Sequence, residues 1–430
     1  MAVPIPTSSG LRTDATPVAA IEPLTPALER EWDDLARRTE ASPFLRPAYL
    51  RVWRASFGHD AQPELVAARR GRRLVGAMAV TRRGSRIGPP GNFETPAAGI
   101  VAGDPEAAAV VARALLECGA RRIELDHLPG EGMSRRALDR AAAATGHRVV
   151  RRVTMRSPVV DTEQGWDAYW ASRSRNLRHN VTRCRRRALE AGAVAVDVRE
   201  AFEDGALPAL LEEGFAVEGS GWKTEQGTAI ATSPRTHRYY TDLATWAADE
   251  GWLRLSFLRI DGRPIAFCLG IQAFGVHHAL KMGYDGATSR LSPGQLLLRA
   301  LIQRAFDERL VRFDFAGHDE AYKLAWATGT EEHLWMAAFP GSPAGRVAHR
   351  LELARIALAE SALAPILRPA AGAARRTVRL AHAGAGLTKR RPPVENDNEP
   401  SAPRRRPRRP GAVGDAFQPG VESAECLSTE

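Results

Sequence analysis

Cysteine is scarce and poorly placed for metal or redox chemistry. Cys118, Cys184, Cys268 and Cys426 are the only four, and no two have the short spacing of a zinc or thioredoxin-type pair. They read as reduced thiols of a cytoplasmic protein. Long apolar runs are also missing. No stretch of about 18 uncharged apolar residues occurs, so no membrane span is expected. The first residues, with Pro4, Pro6 and Ser8, lack the apolar core of a signal peptide. Acidic side chains are absent from residues 173–187, which hold seven arginines. That segment and residues 389–409 together account for more than the whole net charge of +10, leaving the rest of the chain close to neutral.

At 430 residues, with 44% hydrophobic and 26% charged side chains, the chain is long enough for two or three folded domains and a buried cleft. Residues 1–24 are expected to be flexible. Residues 387–430, rich in Pro, Arg and acids, offer too little apolar surface to offset ordering entropy and are expected to be disordered. Their removal should leave the fold unchanged. Between the body and that tail, residues 346–386 read as a helical extension, with Val347, Leu351, Ala354, Leu358 and Ala362 as its packed stripe.

The middle of the chain repeats itself. A strand, a turn at Gly71 and a second strand are followed by a helix over 106–118 and the alternating strand Arg122-Ile123-Glu124-Leu125. The same order recurs with an Asp261-Gly262 turn, a helix over 295–309 and Arg312-Phe313-Asp314-Phe315. Gly71 to Glu124 and Gly262 to Asp314 are nearly equal spans, and helices over 27–38 and 206–217 extend the match. Duplication of one α/β unit, residues 25–160 and 161–345, is the economical explanation.

The second copy contains a meander, 252–260, 264–273 and 276–284, leading to Leu291-Ser292-Pro293-Gly294-Gln295. Ser292 suits an N-cap, Pro293 the first helical position, and Gln295 completes a capping box. A helix start of this kind offers N–H groups and a partial positive charge to a pyrophosphate, with Gly294 giving backbone access. Beyond the following strand, His318, Asp319, Glu320, Tyr322 and Lys323 gather where an α/β sheet edge usually holds its ligand. Asp314, between two Phe, reads as an outward strand residue. His318 has no spaced partner, so no metal site is expected. Ser174 predicts the cap of a helix with the apolar stripe Leu177, Val181, Cys184 and Ala188, ended by Gly192. Arg175, Arg178, Arg185 and Arg186 then form a cationic face. Few aromatics interleave with these arginines, so nucleic acid is a less favoured partner than an anionic acceptor, and contact with a membrane surface is a further reading.

Several stretches resemble the CelD-like branch of the GNAT acetyltransferases, which is related to the Fem-type transferases built from two tandem GNAT units. They are Ser174-Arg175-Asn176-Leu177-Arg178-His179-Asn180, Gly221-Trp222-Lys223 with Gly227-Thr228-Ala229, Gly262-Arg263-Pro264-Ile265-Ala266, Ser292-Pro293-Gly294, and Phe313-Asp314-Phe315 with Tyr322-Lys323. The resemblance spans roughly residues 25–340. It implies an α/β (α+β) fold of two tandem units with mixed, mainly antiparallel sheets, the first copy degenerate. It also implies an acyltransferase that takes acetyl-CoA or another acyl-CoA and needs no metal. The pantetheine strand is expected at 264–271, with Ala266, Phe267 and Cys268, and the pyrophosphate site at Ser292, Gly294 and Gln295. The superfamily's glycine-rich pyrophosphate loop is replaced here by Arg290-Leu291-Ser292-Pro293-Gly294-Gln295, and related branches use other donors, including aminoacyl-tRNA.

Acyl transfer from a thioester requires a placed amine or hydroxyl, a proton acceptor and N–H groups for the oxyanion. Tyr284 is a candidate acid for the leaving thiolate, and Asp285 or His318 a candidate base. Arg178, Trp222, Lys223 and Lys323 are candidate contacts to an anionic or sugar-containing acceptor, in polysaccharide or envelope synthesis as the resemblance suggests. The rival reading is a non-catalytic GNAT-shaped module that holds an anionic polymer on its arginine helix.

Overall fold

The computed structural model describes residues 16–58, 62–220 and 229–360. Trp222, Lys223, Cys426, the 387–430 tail and the part of the helical extension beyond 360 lie outside the described residues. Part of the segment expected to be flexible, Val18–Pro23, forms the edge strand β1.

The first half continues with helices α1 (Pro26–Arg38) and α2 (Pro47–Phe57) and strands β2 (Pro63–Arg70), β3 (Arg73–Arg83), β4 (Arg86–Gly88) and β5 (Val101–Ala102). It ends in α3 (Pro105–Leu116), β6 (Arg122–Pro129), α4 (Met133–Ala144) and β7 (Arg148–Asp161). Helices α5 (Trp166–Ser172) and α6 (Arg175–Ala191) lead to the second half: β8 (Val194–Arg199), α7 (Ala206–Gly219), α8 (Pro234–Asp249), β9 (Leu253–Ile260), β10 (Arg263–Ala273) and β11 (Val276–Tyr284). Helix α9 (Pro293–Asp307), β12 (Arg312–Asp314), α10 (Ala321–Leu324), β13 (Gly329–Phe339) and α11 (Pro343–Glu360) complete it.

The repeat expected from the sequence is present, β5 of the first half being the one strand without a counterpart among the described residues. Strands β2–β3 and β9–β10 are hairpins whose turns use left-handed residues, Gly71 in the first and Asp261-Gly262 in the second. In each half the fourth strand runs parallel to the strand after the helix, β4 with β6 and β11 with β12. All strands join one sheet in the order β1-β2-β3-β4-β6-β13-β7-β12-β11-β10-β9-β8, with β5 attached to β3. The last strands of the two halves change places at the centre: β7 of the first half pairs with β12, and β13 of the second pairs with β6.

Both faces of the sheet are covered, so neighbouring residues on one strand enter different cores. Ala266 and Cys268 point to the side of α5, α6 and α9, whereas Phe267 and Leu269 point to the side of α7 and α8. The latter core also takes Phe44 from the turn before α2 and Tyr49 and Trp53 from α2, so the two halves share apolar packing.

Helix α6 forms as its pattern dictates. Ser174 Oγ accepts from Leu177 N at 3.1 Å, and Leu177, Val181, Cys184 and Ala188 are its buried residues. The C-terminal extension differs from expectation. Val347, Leu351 and Leu358 are exposed, while Glu352 is buried and pairs with Arg122 at 2.9 Å. The helix presents a carboxylate, not its leucines, to Arg122, which also pairs with Glu124 at 3.0 Å.

Candidate functional site

The two halves differ where their parallel strands meet. In the first, β4 and β6 run so close that a Cβ on Gly88 would lie 1.9 Å from the Glu124 carbonyl oxygen. Residues 89–100 leave the sheet, and β5 returns to β3 further along the same edge. At the helix start, Asp104 Oδ1 accepts from Ala107 N at 2.8 Å and Oδ2 accepts from Arg70 at 3.1 Å. That hydrogen bond and the guanidinium hold the Asp104 carboxyl below its ordinary pKa. A carboxylate therefore occupies the place a phosphate would need.

In the second half the parallel pair runs for three residue pairs, against two in the first, and then parts. Strands β11 and β12 are in register only at Val276–Arg312, His277–Phe313 and His278–Asp314, after which β12 ends while β11 continues to Tyr284. Residues 279–284 are thus paired to β10 on one edge and open on the other. A bulge at Leu280 interrupts the β10–β11 ladder in this stretch, where Leu269 pairs with Lys281 and Gly270 with Ala279. Helix α9 begins at the mouth of the opening. Its first backbone N–H is that of Gly294, because Pro293 has none. A Cβ on Gly294 would meet only the Tyr284 ring, at 3.6 Å.

The expected capping box does not form. Ser292 has φ 49°, in the left-handed region, and its side chain makes no cap hydrogen bond. A left-handed residue cannot place its side chain over the first turn as an extended N-cap does. Gln295 instead accepts from Trp326 Nε1 at 2.7 Å, fixing the first turn of α9 to the loop after α10. Ala266, Phe267 and Cys268 lie fully buried on β10, which is paired on both edges, so the open edge belongs to the next strand.

The remaining expectations are dispersed. Asp285 caps the following 3-10 turn by accepting from Ala287 N at 3.0 Å, and its other oxygen binds Arg263. Lys323 is buried, with its ammonium held by the carbonyls of Ala316 at 2.8 Å and His318 at 3.2 Å and by Glu320 at 2.7 Å. It ties the loop after β12 together. His318 is exposed on that loop and stacks against Phe93 of the first half. Arg178 lies on α6, which packs against α9 and the 286–291 turn.

Other residues crowd the opening. Asp314 Oδ2 lies 2.9 Å from His278 Nδ1, and its Oδ1 accepts from Ser157 Oγ at 2.8 Å and from Ala316 N at 2.9 Å. Burial alone would raise the Asp314 pKa, but His278, the Ala316 N–H and Ser157 outweigh it and bring it down to about 2. The excursion 89–100 of the first half reaches the same face. Glu94 Oε2 accepts from Tyr240 at 2.6 Å and lies 3.7 Å from Lys281 Nζ on β11. Asn92 fixes this loop by accepting from Trp53 Nε1 and from Glu94 N, both at 3.0 Å. His278 and Lys281 were visible as polar residues in an apolar strand, and Asp314 as an acid between two Phe. Nothing in the sequence pairs residue 94 with residue 281. Among the described residues no group of three or more His, Cys, Asp or Glu side chains is arranged to hold a metal, and no helix is long and apolar enough to cross a membrane.

Comparison with known proteins bears on the fold. The family model described as an acetyltransferase (GNAT) domain matches residues 175–324, from the arginine helix to the end of α10. No curated protein matches the chain in sequence. Among solved structures, FemX is 12% identical, with 77% of this chain and all of that one covered at a TM-score of 0.51. A conserved protein of unknown function from Bacteroides thetaiotaomicron VPI-5482 is also 12% identical, with 75% and 100% covered at 0.50. A tandem GNAT protein from the clavulanic acid biosynthesis pathway is 15% identical, with 76% and 99% covered at 0.41. Residues 175–324 are thus similar to the acetyltransferase (GNAT) domain, and the described residues up to Phe339 have the fold of two GNAT-like units in tandem.

Proposed function

We propose that the protein is an acyltransferase that moves an acetyl or other acyl group from acyl-CoA to an amine or hydroxyl acceptor, using the opening between β11 and β12. The observation that carries this reading is the short parallel pair that ends at His278 and Asp314, with the start of α9 at its mouth. The unpaired edge of 279–284 suits the amide groups of a pantetheine arm, which can pair with a strand as a further strand would. The Leu280 bulge loosens backbone N–H groups where a thioester oxyanion needs them. The α9 start, with Gly294 open, suits the pyrophosphate.

The acceptor enters from the face lined by Glu94, Lys281 and Tyr240, so both halves form the site although only the second carries the donor. The exposed arginines of α6, beside α9, favour an acceptor with anionic groups, such as a sugar phosphate or an envelope polysaccharide precursor. Amide hydrogen exchange with and without acetyl-CoA tests this placement. Slowed exchange in 279–284 and 294–296 is expected. Protection around Asp104, or no protection anywhere, would refute it.

A further inference from the structure

We propose that His278 is the general base of the transfer and that Asp314 is its positioning residue. The proposal rests on the acyltransferase reading and concerns two residues that the sequence pattern did not single out as a pair. His278 is the last β11 residue in register with β12, so it stands at the point where the strands part. Asp314 is opposite it on β12.

The hydrogen bonding defines the tautomer. Both Asp314 oxygens are engaged, one by Ser157 Oγ and Ala316 N and the other by His278 Nδ1. Those donors and the neighbouring imidazole keep the carboxyl ionised. An ionised carboxylate only accepts, so His278 Nδ1 carries the hydrogen, and in the neutral imidazole Nε2 is then the acceptor. Nε2 has no hydrogen-bond partner among the described residues, and the His278 side chain keeps 15% of its surface exposed. Phe44 meets the ring edge-on, with centroids 5.1 Å apart, and limits its rotation. A nucleophile's proton acceptor, oriented by a carboxylate that is itself tied down, is the arrangement that general-base catalysis requires.

The neighbouring histidines lack this combination. His277 is buried on the opposite face against Phe313, and burial lowers its pKa to about 3. His333 and His127 each leave Nδ1 enclosed and unpartnered. His318 is exposed and stacked on Phe93, with no carboxylate orienting it among the described residues.

In the step itself the acceptor X–H gives its proton to His278 Nε2 as the X–C bond forms at the thioester carbon. The tetrahedral intermediate then collapses, and the C–S bond breaks with its electron pair leaving on the CoA sulfur. His278 returns the proton to that thiolate, so no oxidant, metal or covalent enzyme intermediate is involved.

The test measures thiol release from acetyl-CoA by the full-length protein, with water as acceptor and then with hydroxylamine, which is unprotonated at neutral pH and a stronger nucleophile. His278→Gln should lower the water reaction at least about 100-fold, in the range general-base catalysis supplies. It should leave the calorimetric affinity for acetyl-CoA within about twofold, and hydroxylamine should bring the variant to within about tenfold of the wild type. Asp314→Asn should show the same pattern with a smaller loss. An unchanged water rate in His278→Gln, or an equal loss with both acceptors, would overturn the assignment. A wild type that binds acetyl-CoA and yet releases no thiol with either acceptor would also overturn it, whereas failure to bind acetyl-CoA at all would refute the donor reading beneath it.

Discussion

Asp314 shows how a residue's role follows from its neighbours. Between two phenylalanines on a short strand it reads as a solvent-facing acid, but the adjoining strands deliver Ser157 and His278 to its two oxygens. Because its pKa is lowered from 3.8 to about 2 on folding, the stability it contributes is complete above the ordinary aspartate value and is lost as the pH falls through about 2. The wild type should therefore exceed Asp314→Asn by on the order of 2 kcal/mol near pH 6, with the difference shrinking below about pH 4. Urea unfolding of both proteins across that range measures it. A difference that stays constant down to about pH 3 would mean that the carboxylate's charge is not what stabilises this corner.

At the scale of elements, local chemistry was the readable part. The Asp261-Gly262 turn, the Ser174 cap and the alternation of the meander place strands and helices nearly to the residue. The donor edge was not readable in the same way. Strands β10 and β11 are both apolar, and which of them is open depends on where β12 docks from some thirty residues downstream. Nor does residue type reveal that Ser292 turns left-handed, since a proline and a glycine follow it in either conformation. One element-level prediction rests on close approach. Gly214 lets α7 lie flat on the sheet, and a Cβ there would fall 2.2 Å from the buried Phe267 ring. Gly214→Ala should cost about 1–3 kcal/mol through overpacking, despite alanine's better helix propensity. A melting temperature equal to or above that of the wild type would show that the ring has room to move.

The whole molecule is held together by exchange. Strand β13 sits between β6 and β7 of the other half, and α2 with the turn before it contributes Phe44, Tyr49 and Trp53 to the core beneath α8. Arg46, 1% exposed, pairs with Asp33 of the first half and Glu250 of the second. Neither half completes its own sheet, and the core beneath α8 draws on both, so residues 16–353 should unfold in one transition. Far-ultraviolet circular dichroism and fluorescence from tryptophans in both halves should give coincident urea curves. Two separated transitions would contradict the exchange.

Under the proposed acyltransferase function, the same asymmetry gives chemistry to one half and support to the other. The first half closes its gap and fills its helix start with Asp104, and the chain freed from its sheet carries Glu94 across to the second half. The claim that the second half holds the donor is tested most directly by calorimetric titration of acetyl-CoA into the wild type and Gly294→Asp. The new Cβ would meet only the Tyr284 ring, at 3.6 Å, and an acid in the first turn suits the helix dipole, so folding should stay within about 1 kcal/mol of the wild type. The same carboxylate would repel a pyrophosphate at the helix start, and affinity should fall at least tenfold, about 1.4 kcal/mol. Equal affinity in two equally stable proteins would contradict the account, because the start of α9 would then hold no phosphate.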